Sequence, residues 1–208
     1  MNNKGSCEKD GIIRRQRLND IAKEVFRKTI HVSSAFIPLL LSINKPLILG
    51  LLTAALLFYT VAEFCRLNGR QIPLVSAITA AAARKRDENR FVLGPVTLCL
   101  GIIFCALIYK SPASSIGIFA LSFGDGLASL AGKLFGKVKI PLTEGKTAAG
   151  SLTCFAAIFI SSFCVCSNAK VSLCAASVGM FIEVLPLKDF DNLLIPLALG
   201  GIASCLLP

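Results

Sequence analysis

Apolar residues in this chain come in long unbroken blocks, separated by short polar connections, with neither the two-residue alternation of a half-buried strand nor the one-sided stripe of a surface helix. Seven blocks can be delimited, at residues 26–43, 47–65, 91–109, 113–132, 148–167, 171–187 and 192–207, the first closed by Asn44-Lys45-Pro46. A helix needs about 20 apolar residues to cross a hydrocarbon core of ~30 Å, which is roughly the length of each block. Backbone amides in lipid must find partners within their own segment, so the blocks predict helices, and no alternating pattern supports a barrel. Residues 72–83 are apolar for only a dozen positions, which predicts a re-entrant or interfacial segment. The expected fold is an all-α polytopic integral membrane bundle of about seven transmembrane helices.

Composition sharpens this picture. The 208 residues are 54% hydrophobic and 16% charged, with a mean hydropathy of +0.71, well below the roughly 25% charge of soluble domains. Residues 1–25 form a basic polar arm without an apolar signal core, and residues 26–208 one membrane domain, so the first span is expected to direct its own insertion. With the N-terminus in the cytoplasm, 19 Lys and Arg flank the inner segments and only Lys45, Lys110 and Lys170 lie outside. This asymmetry obeys the positive-inside rule. On the same topology none of the 12 acidic residues reaches an outer loop, which places the chemistry at the cytoplasmic face.

The net charge of +10 reads as a basic inner surface touching anionic lipid head groups, with residues 4–23 and Arg84-Lys85-Arg86 as its main sources. No aromatic interleaving or recognition element accompanies these basic residues, so nucleic acid is not an expected partner. The nine cysteines lack a CxxC pair, and the chain has one histidine, which leaves them as small packing residues rather than zinc ligands or disulfides.

Three carboxylates lie inside predicted spans, where an unpaired charge is costly and usually functional. Glu63 has Arg66 one turn away and is expected to pair with it. Asp125 and Glu183 have no cation within four residues. Asp125 sits in FGDGLASLAGKLFGK, among small residues that admit a neighbouring helix or a ligand. Carboxylates beside a phosphate site usually hold Mg²⁺. The following KVKIPLTEGKTAAGS brings Lys137, Lys146 and Thr147 to the start of the fifth span, where helix N-terminal amides and lysines make an anion site. It is not a Walker A loop, since Ile140 stands where that motif needs glycine. In EVFRKTIHVSS, Glu24, Arg27, Lys28 and His31 share one helix face, as a lipid anchor or a phosphate grip, with His31 a proton carrier or a helix contact. In FIEVLPLKDFDNLLIPL, Glu183, Asp189, Asp191 and Asn192 flank the last two spans, where Asp191-Asn192 could cap the final helix or, with Glu183, face Asp125 across a metal–triphosphate.

Taken in order, Glu24-x-x-Arg27-Lys28-x-x-His31, Asp125-x-x-Ala128-x-x-x-Gly132-x-x-x-Gly136, Lys146-Thr147, Glu183-x-x-Pro186 and Asp191-Asn192-x-x-x-Pro196 resemble the CTP-dependent lipid kinases. That family includes dolichol kinase, phytol kinase and the CTP-using diacylglycerol kinase, and it is related to the phosphatidate cytidylyltransferases. Its nucleotide motif ends in Lys-Lys-Thr-x-Glu-Gly, whereas this chain has Gly145-Lys146-Thr147-Ala148-Ala149-Gly150, with Glu144 the nearest replacement for the missing acid.

The resemblance implies a kinase that moves the γ-phosphoryl group of CTP to the hydroxyl of a membrane lipid alcohol, with Mg²⁺ on the triphosphate. Carried over, Asp125 holds the metal, with Glu183 and Asp191 as further ligands; Gly132 and Gly136 admit the nucleotide. Lys146, Thr147, Lys137 and Asn192 contact it, and Arg27 and Lys28 neutralise the moving phosphate. His31 and Asp191 are the candidate bases by position. The competing readings are a cytidylyltransferase acting on phosphatidate, whose terminal motif is missing here, and a transporter, which would spread polar residues across the membrane depth.

Overall fold

The structure is a computed structural model that describes residues 3–70, 73, 79, 90–141, 143 and 145–207. Most of 72–83, Arg84-Lys85-Arg86 and Glu144 lie outside the described residues. The described chain is helical, without a strand ladder; a single bridge joins Lys139 to Thr147.

Helix α1 (Asn3–Ser33) runs through the polar arm from Asn3 onward, so the arm is one helix with the Glu24–His31 face, and a short 3-10 turn (Ser34–Phe36) leads into α2 (Ile37–Leu67). Inside α2 only Asn44 leaves helical geometry, at φ −152° and ψ 89°, two residues before Pro46. Proline lacks an amide hydrogen and clashes with the preceding turn, so a break is expected there. The break reverses the chain. Val92 lines the same cleft as His31, and its amide donates to Glu63 Oε1 at 2.9 Å, so both limbs return to one end of the molecule.

Helices α3 (Gly94–Ile108) and α4 (Ala113–Phe119) follow; a π-helical segment (Ala120–Asp125) then joins α4 to α5 (Gly126–Phe135) as one continuous rod. Helices α6 (Ala148–Cys166), α7 (Ala169–Val184) and α8 (Asp191–Leu206) complete the bundle. The last five predicted blocks agree with the helices to within three residues, block 113–132 corresponding to α4, the π segment and α5 together, whereas block 26–43 is divided between α1 and α2. Among the described residues three stretches, Leu18–Leu67, Ala113–Phe135 and Ala148–Cys166, are long and apolar enough to cross a membrane.

The π segment is the centre of the packing, touching α1, α4, α5, α6, α7 and α8. Its Ala120, Leu121, Ser122, Gly124 and Asp125 are all buried. Insertions of this kind often mark functional positions, because they re-aim the side chains that follow. The outer faces remain apolar: Leu39, Ile43, Leu51, Leu57 and Phe64 of α2 are more than half exposed. Such a surface suits lipid, not water.

Missing Cβ atoms set the helix crossings near the centre. A Cβ on Gly101 would stand 2.2 Å from the carbonyl oxygen of Asn192. Pro196, one turn further along α8, has no amide to give that carbonyl, so α3 packs against an exposed acceptor that only glycine can approach. Glu63 is fully buried and takes both Arg66 Nε at 2.8 Å and Arg66 Nη2 at 2.7 Å, as its spacing predicted.

Candidate active site

Asp125 ends the π segment, and this position turns its carboxylate toward α1. Lys28 Nζ donates to Asp125 Oδ2 at 2.5 Å, and both side chains are buried. His31 Nδ1 stands 3.1 Å from the same oxygen, without the alignment of a hydrogen bond. Lys28 and His31 lie three residues apart and therefore share one face of α1. Gly126 lets that face come close, since a Cβ there would meet Val32 at 2.9 Å. The intramembrane carboxylate with no local cation is thus matched by a lysine 97 residues away.

An open cleft lies over this pair. Arg27, Lys28, His31, Asp125, Asp191 and Asn192 line it, joined by Asp189, and Ile30, Pro95 and Leu98 form an apolar wall. Asn192 is fixed by α3: its Nδ2 donates to Thr97 Oγ1 at 3.1 Å, and its amide donates to Asp191 Oδ1 at 2.9 Å. Phe190 occupies the cap position of α8 without a side-chain cap, while Asp191, the first helical residue, accepts from a first-turn amide and, with Asn192, also lines the cleft.

Lys146 and Glu183 form a second pair at 2.8 Å, and Ser151 Oγ donates to the other Glu183 oxygen at 3.1 Å. Both carboxylate oxygens of Glu183 therefore have partners. Burial lowers the Lys146 pKa, but Glu183 beside it, then Asp125 and Asp191, raise it above the ordinary lysine value, so the ammonium stays charged. Those two more distant carboxylates place Lys146 within electrostatic reach of the cleft. Replacing Glu183 by alanine leaves Lys146 and Ser151 without their acceptor and is expected to cost about 2–3 kcal/mol. Glutamine, which retains an acceptor, should cost about 1 kcal/mol, as thermal unfolding of the two variants in detergent would show.

Thr147 caps α6 by accepting from the Gly150 amide at 3.2 Å. Gly132 and Gly136 make room for it: a Cβ on either would stand within 3 Å of Thr147 Oγ1. These three residues join α5 to α6, and none of them lines the cleft described above. Lys137 is exposed after α5 and is likewise not among the lining residues.

Sequence reasoning left three features unassigned. Glu24 is buried and tied to α5 through Ser129 and Lys133; Asp189 lines the cleft; Thr97 anchors Asn192. The four-residue step from Ser129 to Lys133, one face of a helix, was the available signal.

Among the described residues no group of three or more His, Cys, Asp or Glu is arranged to hold a metal ion alone. A nucleotide-bound Mg²⁺ takes one or two carboxylates and fills its remaining positions with phosphate oxygens and water. Asp125 and Asp191, lining one cleft with Asp189 and Asn192, are oxygen donors of the required kind.

Phytol kinase 1, chloroplastic, from Arabidopsis thaliana is 28% identical over 202 residues, covering 86% of this chain and 66% of the relative. The probable chloroplastic phytol kinase of Zea mays is 28% identical over 191 residues, 88% of this chain and 58% of its own. CTP-dependent diacylglycerol kinase 1 of Saccharomyces cerevisiae is 28% identical over 135 residues, or 64% of this chain and 47% of the yeast protein. The chain spans about half to two thirds of the length of these curated relatives. No family model and no solved structure matches it. Over most of its length the chain is thus similar to phytol kinases and to CTP-dependent diacylglycerol kinases, in agreement with the family that its motifs resemble.

Proposed function

We propose that this protein is an integral-membrane kinase that transfers the γ-phosphoryl group of CTP to the hydroxyl of a lipid alcohol, a phytol-like or polyprenyl alcohol or diacylglycerol. One observation carries the reading: Asp125, matched by Lys28 and His31, lines the same cleft as Asp189, Asp191 and Asn192. Asp189 and Asp191, from a segment expected to be cytoplasmic, meet there with Arg27, Lys28 and Val92, which lie at the ends of spans expected to be on that side. That convergence supports seven spans with the site at the cytoplasmic face.

In this reading Asp125 and Asp191 hold Mg²⁺, which supplies positive charge to the triphosphate when bound. Arg27, Lys28 and Lys146 stabilise charge on the transferred group and on the departing CDP. Phosphoryl transfer depends chiefly on such positioning and charge stabilisation. The acceptor oxygen bonds to the γ-phosphorus, the bond from that phosphorus to the β-bridging oxygen breaks, and the hydroxyl proton passes to a base in the cleft. In this reading His31, or Asp191 if it is not on the metal, would take it; both line the cleft.

The acceptor approaches along the apolar wall of Ile30, Pro95 and Leu98. Ile30→Ala is therefore expected to raise the KM for the lipid alcohol about five- to tenfold while the KM for CTP stays within about twofold. Steady-state kinetics with each substrate varied in turn would measure both. The activity itself is tested by incubating protein, CTP, Mg²⁺ and a lipid-alcohol panel: CDP and a lipid monophosphate should appear in equal amounts. CDP without a lipid product would contradict the reading.

A further inference from the structure

The cleft accounts for Arg27 and Lys28 but not for the carboxylate one turn before them. Glu24 is 5% exposed, on the face of α1 turned toward α5. Its Oε1 accepts from Arg27 Nη2 at 2.5 Å and from Ser129 Oγ, and its Oε2 accepts from Lys133 Nζ at 2.7 Å. Three donors from two helices thus converge on one buried acid. A helix-surface pair three residues apart has little reason to be buried, and when exposed it adds only a few tenths of a kcal/mol.

Ser129 and Lys133 lie on one face of α5, in the rod that begins where Asp125 ends the π segment. Arg27 lines the cleft and Glu24 does not. The geometry therefore transmits the placement of α5, and of Asp125 at its start, to the guanidinium through a single carboxylate. Arginine's planar fork acts on phosphate only when its direction is fixed, and a displacement of about 1 Å can cost a hundredfold in rate.

We propose that Glu24 is a positioning residue for Arg27: held by Ser129 and Lys133, it sets the direction in which the guanidinium meets the anionic substrate. This role rests on the kinase reading of the cleft. The alternative is a plain tether between α1 and α5, in which Glu24 affects stability and activity without reference to Arg27.

A double-mutant cycle separates the two, using full-length protein in detergent with CTP, Mg²⁺ and a lipid-alcohol panel. Glu24→Gln should lower kcat/KM at least tenfold in the parent, whereas in an Arg27→Lys background it should change kcat/KM by less than twofold, because the fork it directs is already gone. Glu24→Asp, which retains the charge, should recover part of the loss. The same reduction by Glu24→Gln in both backgrounds, or parent-like activity of Glu24→Gln, would overturn the proposal. Thermal midpoints are read alongside: if Glu24→Gln does not fold, Lys133→Met takes its place in the cycle, with the same criterion. Should Arg27→Lys turn over like the parent, the kinase reading of the cleft fails first; should Arg27→Lys be impaired and Glu24→Gln act independently of it, only the role of Glu24 fails.

Discussion

Asp125→Asn is expected to reduce phosphoryl transfer by about a thousandfold or more, the scale of removing a central electrostatic group from a preorganised site. Asparagine preserves shape and can still accept from Lys28, so the loss would reflect charge. Two consequences follow from the contacts. The substituted site can no longer offer an anionic oxygen to a metal–triphosphate, and Lys28, at 3% side-chain exposure, loses its counter-charge. Turnover and nucleotide affinity should therefore fall together. Measurement of kcat and of the KM for CTP, with and without Mg²⁺, would check this. Retention of more than a tenth of the parent kcat would remove Asp125 from the chemistry.

Lys28→Met should damage both activity and stability. Its ammonium is the nearest cation to Asp125, and His31 is the only other basic side chain at ion-pair distance from that carboxylate among the described residues. Methionine leaves the carboxylate buried and short of its main partner, and breaking a buried pair from one side costs about 3–5 kcal/mol. Activity should fall about a hundredfold or more, because a cation at the transferred phosphate is also lost. The double variant K28M/D125N separates the two effects. With both charges removed, stability should return to within about 1–2 kcal/mol of the parent, while transfer stays abolished. Denaturant or thermal unfolding of the four proteins, beside their turnover, completes the cycle. If K28M proved as stable as the parent, the buried pair would not be the clasp between α1 and the π segment described above.

The reach of sequence reasoning here follows the range of the forces involved. Span lengths are set by the bilayer, and end signals act over a turn of helix. Asn44-Lys45-Pro46 at the reversal was accordingly readable, whereas Thr147, read as a phosphate contact, and Asn168, not singled out, prove to be the side-chain caps of α6 and α7. Glu63 and Arg66, one turn apart, were readable for the same reason. The charged composition of residues 1–25 read as an arm, although α1 starts at Asn3 and delivers Glu24, Arg27, Lys28 and His31 on a continuous helix. Membrane-depth carboxylates without local cations announced that Asp125 and Glu183 needed partners, but nothing local could name Lys28 or Lys146, which are 97 and 37 residues away. The π segment leaves no compositional trace in ALSFGD, yet it decides where Asp125 points. Gly132 and Gly136 show a further limit: a small residue marks a close approach, and only coordinates reveal that Thr147 is what approaches.

The central claim is that this cleft moves the terminal phosphoryl group of a nucleotide to a lipid hydroxyl. The most direct test uses CTP labelled at either the γ or the α phosphate, with Mg²⁺, lipid alcohols and phosphatidate, on the parent and on Asp125→Asn. γ label should enter the lipid fraction, dependent on an alcohol and absent with Asp125→Asn, and no α label should appear there. Label from the α position would instead mean that phosphatidate attacks the nucleotide, and lipid free of either label would contradict both chemistries.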